Sequence, residues 1–229
     1  MKLTGRPAVD YSTTSRVTSS KGERAPLPPG IYNLVQRAVS HGIERLYLPV
    51  RAEALAWEGL ADREILEVGC GTGVLEGRGV AIDLDLRRVR QARATGRLAA
   101  AGDATRLPFR NGAFALAYCE GVLHHLDDGA ALAALCELLR VCRADGRVVL
   151  IDNVWPRSPL RVIPWLLRRA DFGRHVRTEE QLRGVLRDSG GQLVWARRLT
   201  YTTIGLEGLI SVLTPAAVPS AAKAGDGLV

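Results

Sequence analysis

A chain of 229 residues, 47% hydrophobic and 24% charged, has the size and composition of one well-buried domain and is short for two. No stretch approaches the run of about 20 apolar residues that a membrane-spanning helix needs, and the opening segment MKLTGRPAVDYSTTSRVTSSKGERAPLPPG lacks the apolar core of a secretory signal. The net charge of +7 raises nucleic acid or an anionic membrane surface as partners, but lysine occurs only at Lys2, Lys21 and Lys223, so the excess is arginine spread along the chain rather than one basic tract.

Residues 1–30 read as a polar, flexible leader. From residue 31, IYNLVQRAVSHGIERLYLPVRAEALAW is apolar at helical spacing and predicts one or two helices. Short apolar strands then alternate with helices. EILEV, stopped by Gly69, is the first strand, and GVAID the second. DLRRVRQARAT is a helix with an aspartate at its start. RLAAA and FALAYCE are the third and fourth strands. DDGAALAALCELLRVCR is a helix that RADG closes, RVVLIDN is strand five, and TEEQLRGVLRDSGG is a helix with Thr178 as N-cap. QLVWARRLTY and GLISVLT complete seven strands, and residues 215–229 read as a flexible tail.

That alternation predicts an α/β fold: a doubly wound, mostly parallel sheet with helices on both faces. Ligands of such sheets bind at the carboxyl ends of the strands. Glu67 to Gly73, Asp83, Asp103, and Glu120 to His125 should therefore converge on one crevice.

The cysteines Cys70, Cys119, Cys136 and Cys142 form no CxxC pair and show no zinc-site spacing with histidine. They read as reduced thiols of a cytoplasmic protein, and no metal site is expected.

The turn Gly69-Cys70-Gly71-Thr72-Gly73 lets a ligand come close to the backbone, because no Cβ stands in the way. It departs from the dinucleotide fingerprint, since position 74 is valine and the acid Asp83 arrives early. No P-loop lysine follows, which argues against a triphosphate.

ILEVGCGTG resembles motif I of the class I S-adenosylmethionine-dependent methyltransferases. VAIDLD is similar to motif II, AAGDATRLPFRNGAFALAYCEGVLHHLDD to motifs III and IV, and LLRVCRADGRVVLID to the stretch ending in strand five. The matches run in order over about Glu64 to Asn153, and the branch they most resemble holds small-molecule enzymes related to ubiquinone and menaquinone biosynthesis. The resemblance implies a Rossmann-like fold with one domain over residues 31–214, whose cofactor half spans 62–153.

It also implies S-adenosyl-L-methionine as cofactor, held by Glu67, Gly69, Cys70, Gly71, Gly73, Asp83, Leu84, Asp103, Ala104 and Glu120. Asp83 would accept the ribose hydroxyls, Asp103 the adenine amino group, and the Ala104 N–H would meet a ring nitrogen. Glu67 would order the loop or face the sulfonium. The sequence departs from the family at VLEGRG, where nine residues separate Gly73 from Asp83 and the first helix should be truncated, and at Ala115, where FA replaces FD.

CEGVLHH is not the Asp/Asn-Pro-Pro-aromatic motif of enzymes that methylate exocyclic or amide nitrogens. Two readings of His124 and His125 stand: a base acting on the acceptor, or a structural turn beside the cofactor. Residues 154–177, with Trp155, Trp165 and many arginines, read as a lid over a small, largely apolar acceptor, aromatic or lipid-like, made by Trp155 to Phe172. Tyr11 and Tyr32 are further acceptor-side candidates. A basic segment docking on a membrane surface, an RNA methyltransferase, and a non-catalytic cofactor-binding partner subunit are the alternatives.

Overall fold

The computed structural model describes residues 44–56, 58–71, 78–157, 162, 164–165, 174–202 and 205–216. The expected leader, the tail from residue 217, Gly73, the first four residues of the shortened helix VLEGRG, Tyr11, Tyr32 and most of the expected lid lie outside the described residues.

One sheet organises the described chain. Its strands are β1 (Ile65–Val68), β2 (Val80–Asp83), β3 (Ala99–Ala101), β4 (Phe114–Glu120), β5 (Cys142–Val154), β6 (Gln192–Thr200) and β7 (Glu207–Thr214). They lie in the order β3-β2-β1-β4-β5-β7-β6. All neighbours are parallel except β7, which is antiparallel to both β5 and β6. The order reverses between β1 and β4, which is the topological switch point where a crevice forms.

Among the described residues the helices are α1 (Glu44–Leu55), α2 (Leu86–Ala94), α3 (Asp128–Val141) and α4 (Glu179–Asp188). Their starts follow the sequence. The Asp85 side chain caps α2 by accepting from Arg87 N, the Asp127 side chain caps α3 by accepting from Ala130 N, and Thr178 forms a reciprocal capping box with Gln181.

Register fixes which face each side chain takes. Leu66, Val68, Ile82, Ala117, Val148 and Leu150 build the principal core with α3 and α4 residues such as Leu135, Leu138, Leu182 and Leu186. Ile65, Leu116, Tyr118 and Val149 face the other side, where they join Ala54 and Leu55 of α1. Cys70, Ala81 and Ala99 meet Val89 and Ala92 of α2. Glu67, Ala81 and Tyr118 are register partners, so this acid sits in a row of buried residues on the second face.

One boundary differs from the sequence expectation. RADG does not close α3; the helix ends at Val141 and β5 already begins at Cys142, paired with Phe114. A register shift follows between Phe114 and Leu116. At Gly146 a Cβ would lie 2.6 Å from the Ala115 carbonyl oxygen, so the glycine serves close strand approach rather than a helix stop. Ala115, the departure from the family pattern, is buried there, far from the crevice.

Candidate functional site

The carboxyl ends of β1, β2 and β4 carry the predicted residues. Gly69 and Gly71 both have positive φ, +76° and +47°. Gly69 N donates to the Ile82 carbonyl at 2.7 Å, which folds the glycine turn onto the end of β2. Asp83 completes the fold: Oδ2 accepts from Gly71 N at 3.0 Å and Oδ1 from Asp85 N at 2.9 Å. Each oxygen therefore has one N–H and keeps a further lone pair. Leu84 beside it is exposed, and Cys70 is fully buried under the turn. Burial pushes the Cys70 thiol up to about 11, so it is inert as a nucleophile at neutral pH.

β3 joins this rim through Gly102 N, which donates to the Asp83 carbonyl at 3.1 Å. Asp103 is exposed, and its Oδ1 accepts from both the Thr105 N–H and hydroxyl at 2.8 Å. Ala104 is half-buried against the principal core.

Glu67 is only 1% exposed and lies 2.6 Å from the Arg97 guanidinium, itself buried. Arg97 also donates to the Arg78 carbonyl at 2.7 Å. Burial raises the Glu67 carboxyl to about 7; Arg97 opposes that shift and Glu120 adds to it. Burial is the larger effect, although Arg97 counters it through charge and hydrogen bonding; both Glu67 oxygens and two Arg97 nitrogens are without a well-aligned hydrogen-bond partner. Glu120, two residues beyond Tyr118 on β4, accepts from the Tyr118 hydroxyl and lies 3.7 Å from Arg51 Nε.

After β4 the chain turns at Gly121 (φ +65°) into a short 3-10 turn, Leu123–His125. His124 is buried and His125 exposed, with ring centroids 4.1 Å apart. His124 Nδ1 lies 2.5 Å from Asp152 Oδ1, and its backbone N–H donates to Asp152 Oδ2 at 3.0 Å. Asn153 Nδ2 is 3.4 Å from His124 Nε2, and the Tyr201 hydroxyl donates to Asn153 Oδ1 at 2.5 Å. Arg177 clamps the turn by donating to the carbonyls of Leu123 and Leu126, each at 2.9 Å, and to Asp128.

The structure thus gathers the glycine turn, Asp83, Leu84 and Asp103 on one rim, and places Glu120 and His124 on the adjoining one. Sequence reading missed Arg97, Asp152, Asn153, Arg177 and Tyr201. Arg177 had counted among the arginines of the lid, but it is buried and fully engaged. Among the described residues no cluster of His, Cys, Asp and Glu could hold a metal ion.

A cavity of about 680 Å³ lies away from this rim, lined by Arg157, Glu179, Arg183, Arg198 and Glu207 among others. Arg157, Arg183 and Arg198 are paired with its glutamates and Arg197 with Glu53 outside it, and the chemistry-bearing residues lie elsewhere.

Residues 66–150 match the family described as "Methyltransferase domain". These residues carry a methyltransferase domain. This domain is 30% identical over 156 residues to a demethylmenaquinone methyltransferase of Beutenbergia cavernae, covering 64% of this chain and 60% of that protein. It is 32% identical over 137 residues to the enzyme of the same name from Mycolicibacterium vanbaalenii, covering 56% and 58%. The chain therefore spans about 60% of the length of the curated relatives it matches.

In fold, the methyltransferase domain is similar to geranyl diphosphate C-methyltransferase from Streptomyces coelicolor, a structure in complex with Mg2+, geranyl diphosphate and S-adenosyl-L-homocysteine. The TM-score is 0.61 at 14% identity, over 76% of this chain and 80% of that one.

Proposed function

We propose that the chain transfers a methyl group from S-adenosyl-L-methionine to a small, largely apolar acceptor. One observation carries this reading: the positive-φ glycine turn is tied through Gly71 N to Asp83 at the end of β2, beside the switch point of the sheet. The donor set fits the cofactor. Asp83 keeps one lone pair on each oxygen for a vicinal diol. Leu84 offers an apolar face, and Asp103 with the Ala104 N–H offers an acceptor and a donor for a purine edge. The segment Gly69 to Gly73 contains no lysine or arginine of its own, and the cofactor has no phosphate; the nearest cation is Arg88, whose Nη1 stands beside Gly71.

Bound there, the cofactor supplies an electrophilic methyl group on a sulfonium. The chain's part is to align the acceptor and accept a proton from it. Glu67 is buried near the end of β1, paired with Arg97, just before the turn in sequence. Cys70 lines the turn through its backbone, and Gly73 belongs to the same loop by sequence. Glu120 stands where β4 opens towards the sulfonium side. The demethylmenaquinone methyltransferases among the relatives favour a quinol-like aromatic acceptor.

The test is calorimetric titration with S-adenosyl-L-methionine, followed by single-turnover assay on reduced demethylmenaquinone and on total RNA. Cofactor binding with methylation of the quinol alone supports the reading. Methylation of RNA alone would replace it with the nucleic-acid alternative, and failure to bind the cofactor would reject it.

A further inference from the structure

The pair formed by Asp152 and His124 is not needed to shape the cofactor turn, and its hydrogen bonds have a definite direction. The Tyr201 hydroxyl donates to Asn153 Oδ1, which turns Asn153 Nδ2 towards His124 Nε2. An amide nitrogen is a donor only, so Nε2 is the accepting nitrogen and Nδ1 carries the proton given to Asp152 Oδ1 at 2.5 Å. The weak link is at Nε2: 3.4 Å exceeds the usual N–H hydrogen-bond range. Everything behind the ring is tight. Asp152 also holds the His124 backbone N–H, and Arg177 fixes the carbonyls on both sides of the histidine pair.

We propose that Asp152 and His124 form a proton-accepting dyad directed at the acceptor, and that the acceptor is a hydroxylated aromatic or enolic molecule that must lose a proton to become nucleophilic. The inference rests on the methyl-transfer reading above. In the step, the acceptor O–H bond breaks, its proton passes to Nε2, and the bonding pair stays on the acceptor oxygen. Nδ1 keeps its own proton, so the positive charge of the imidazolium lies against the Asp152 carboxylate. The acceptor hydroxyl takes the place of the long Asn153 contact. An acceptor nitrogen or sulfur that is already nucleophilic would have no use for such a pair.

Among the described residues, the titratable and charged groups around the ring include Asp152 from β5, the neighbouring His125, His175, whose backbone N–H donates to the His124 carbonyl at 3.0 Å, Arg177 with its partner Asp128, and Tyr201 through Asn153. All are part of the site's proton balance.

The test uses the whole chain. It has four histidines, so nitrogen-resolved NMR follows every ring between pH 5 and 9, with H124Q assigning the signal. The dyad requires the Nδ1–H form at high pH, a protonation event within that range, and an inflection that moves to lower pH by about one unit or more in D152N. Adding 1,4-naphthalenediol should shift the Nε2 resonance, and its dimethyl ether should not. In turnover on a quinol acceptor, the acid limb of kcat should follow the histidine inflection and move with it in D152N, while cofactor affinity stays within about twofold.

A His124 ring that keeps one state from pH 5 to 9, or responds equally to diol and ether, overturns the proposal. So does an acid limb that D152N leaves in place. The first two measurements use the parent protein and stand even where D152N does not fold. Absence of cofactor binding would reject methyl transfer itself, and the diol titration would still decide the dyad.

Discussion

Asp152 binds His124 twice, once through the backbone N–H and once through the imidazole, and so fastens the turn after β4 to the end of β5. Both residues are almost completely buried. Replacing Asp152 by alanine strands three donors, the two of His124 and the half-buried Asn153 N–H, and each buried unsatisfied donor costs about 1–3 kcal/mol. We expect D152A to lose about 2–4 kcal/mol in urea unfolding. A loss under about 0.5 kcal/mol, the scale of an ordinary surface substitution, would show that water replaces the carboxylate at no cost.

Asp83 has a double task, because the same carboxylate that would receive the cofactor also holds the glycine turn. Asp83→Ala removes both, and we expect cofactor affinity to fall by a few kcal/mol, at about 1.5–3 kcal/mol for each hydrogen bond to a charged group. Asp83→Asn keeps one accepting oxygen and should lose about half as much. Calorimetry on the two variants separates them. Unchanged affinity in a folded Asp83→Ala protein would remove Asp83 from the cofactor site.

Much of this was legible in the sequence, for particular reasons. Strand ends and helix starts were readable because glycine and capping residues act locally, as at Gly69, Asp127 and Thr178. The glycine turn and Asp83 were readable because each stands at a strand end that a short local motif marks. Asp152 and Tyr201 were not, because their roles depend on β5 and the end of β6 reaching the turn after β4, and no local pattern marks that meeting. Arg97 and Arg177 were hidden differently. In a chain rich in arginine, two buried arginines look like the exposed ones until strand register and carbonyl partners distinguish them.

Arg177 holds the same turn from the other side. It donates to two carbonyls of the turn, to the His175 carbonyl at 3.3 Å and to Asp128. Lysine keeps the charge but not the planar fork. We expect Arg177→Lys to cost about 2–3 kcal/mol, with two to three bonds from a charged donor lost and partly replaced. Hydrogen exchange should quicken at the His125 and Leu126 amides, which close the turn, and remain unchanged in α2. Equal protection at those amides in parent and variant would show that the turn stands without the clamp.

Glu179 lies among Arg157, Arg183 and Arg198. Burial alone would raise its carboxyl, but the three arginines outweigh that and hold it at about 2. A carboxyl lowered by folding stabilises above its unfolded value near 4.5 and loses that contribution as pH falls through about 2. We expect Glu179→Gln to lower stability by about 2 kcal/mol at pH 7, after discounting for solvent screening, and by much less at pH 2.5. Equal destabilisation at the two pH values would mean that the contact acts through packing and not through charge.

Glu67 has the opposite sign. Burial raises its carboxyl from 4.5 to about 7, despite the nearby Arg97. The folded state therefore holds the proton longer than the unfolded chain. Its contribution is fully present below about 4.5 and is lost as pH rises through about 7, by at most about 3 kcal/mol. Glutamine reproduces the neutral form in size and shape. In urea unfolding of Glu67→Gln, we expect stability near that of the parent at pH 5 and a flatter profile from pH 5 to 8. Arg97→Met should steepen the parental slope, because it leaves the buried carboxylate without its cation. A parent whose stability rises across that interval, with glutamine and methionine variants of the same slope, would show that the ion pair with Arg97 prevails and that Glu67 is charged throughout.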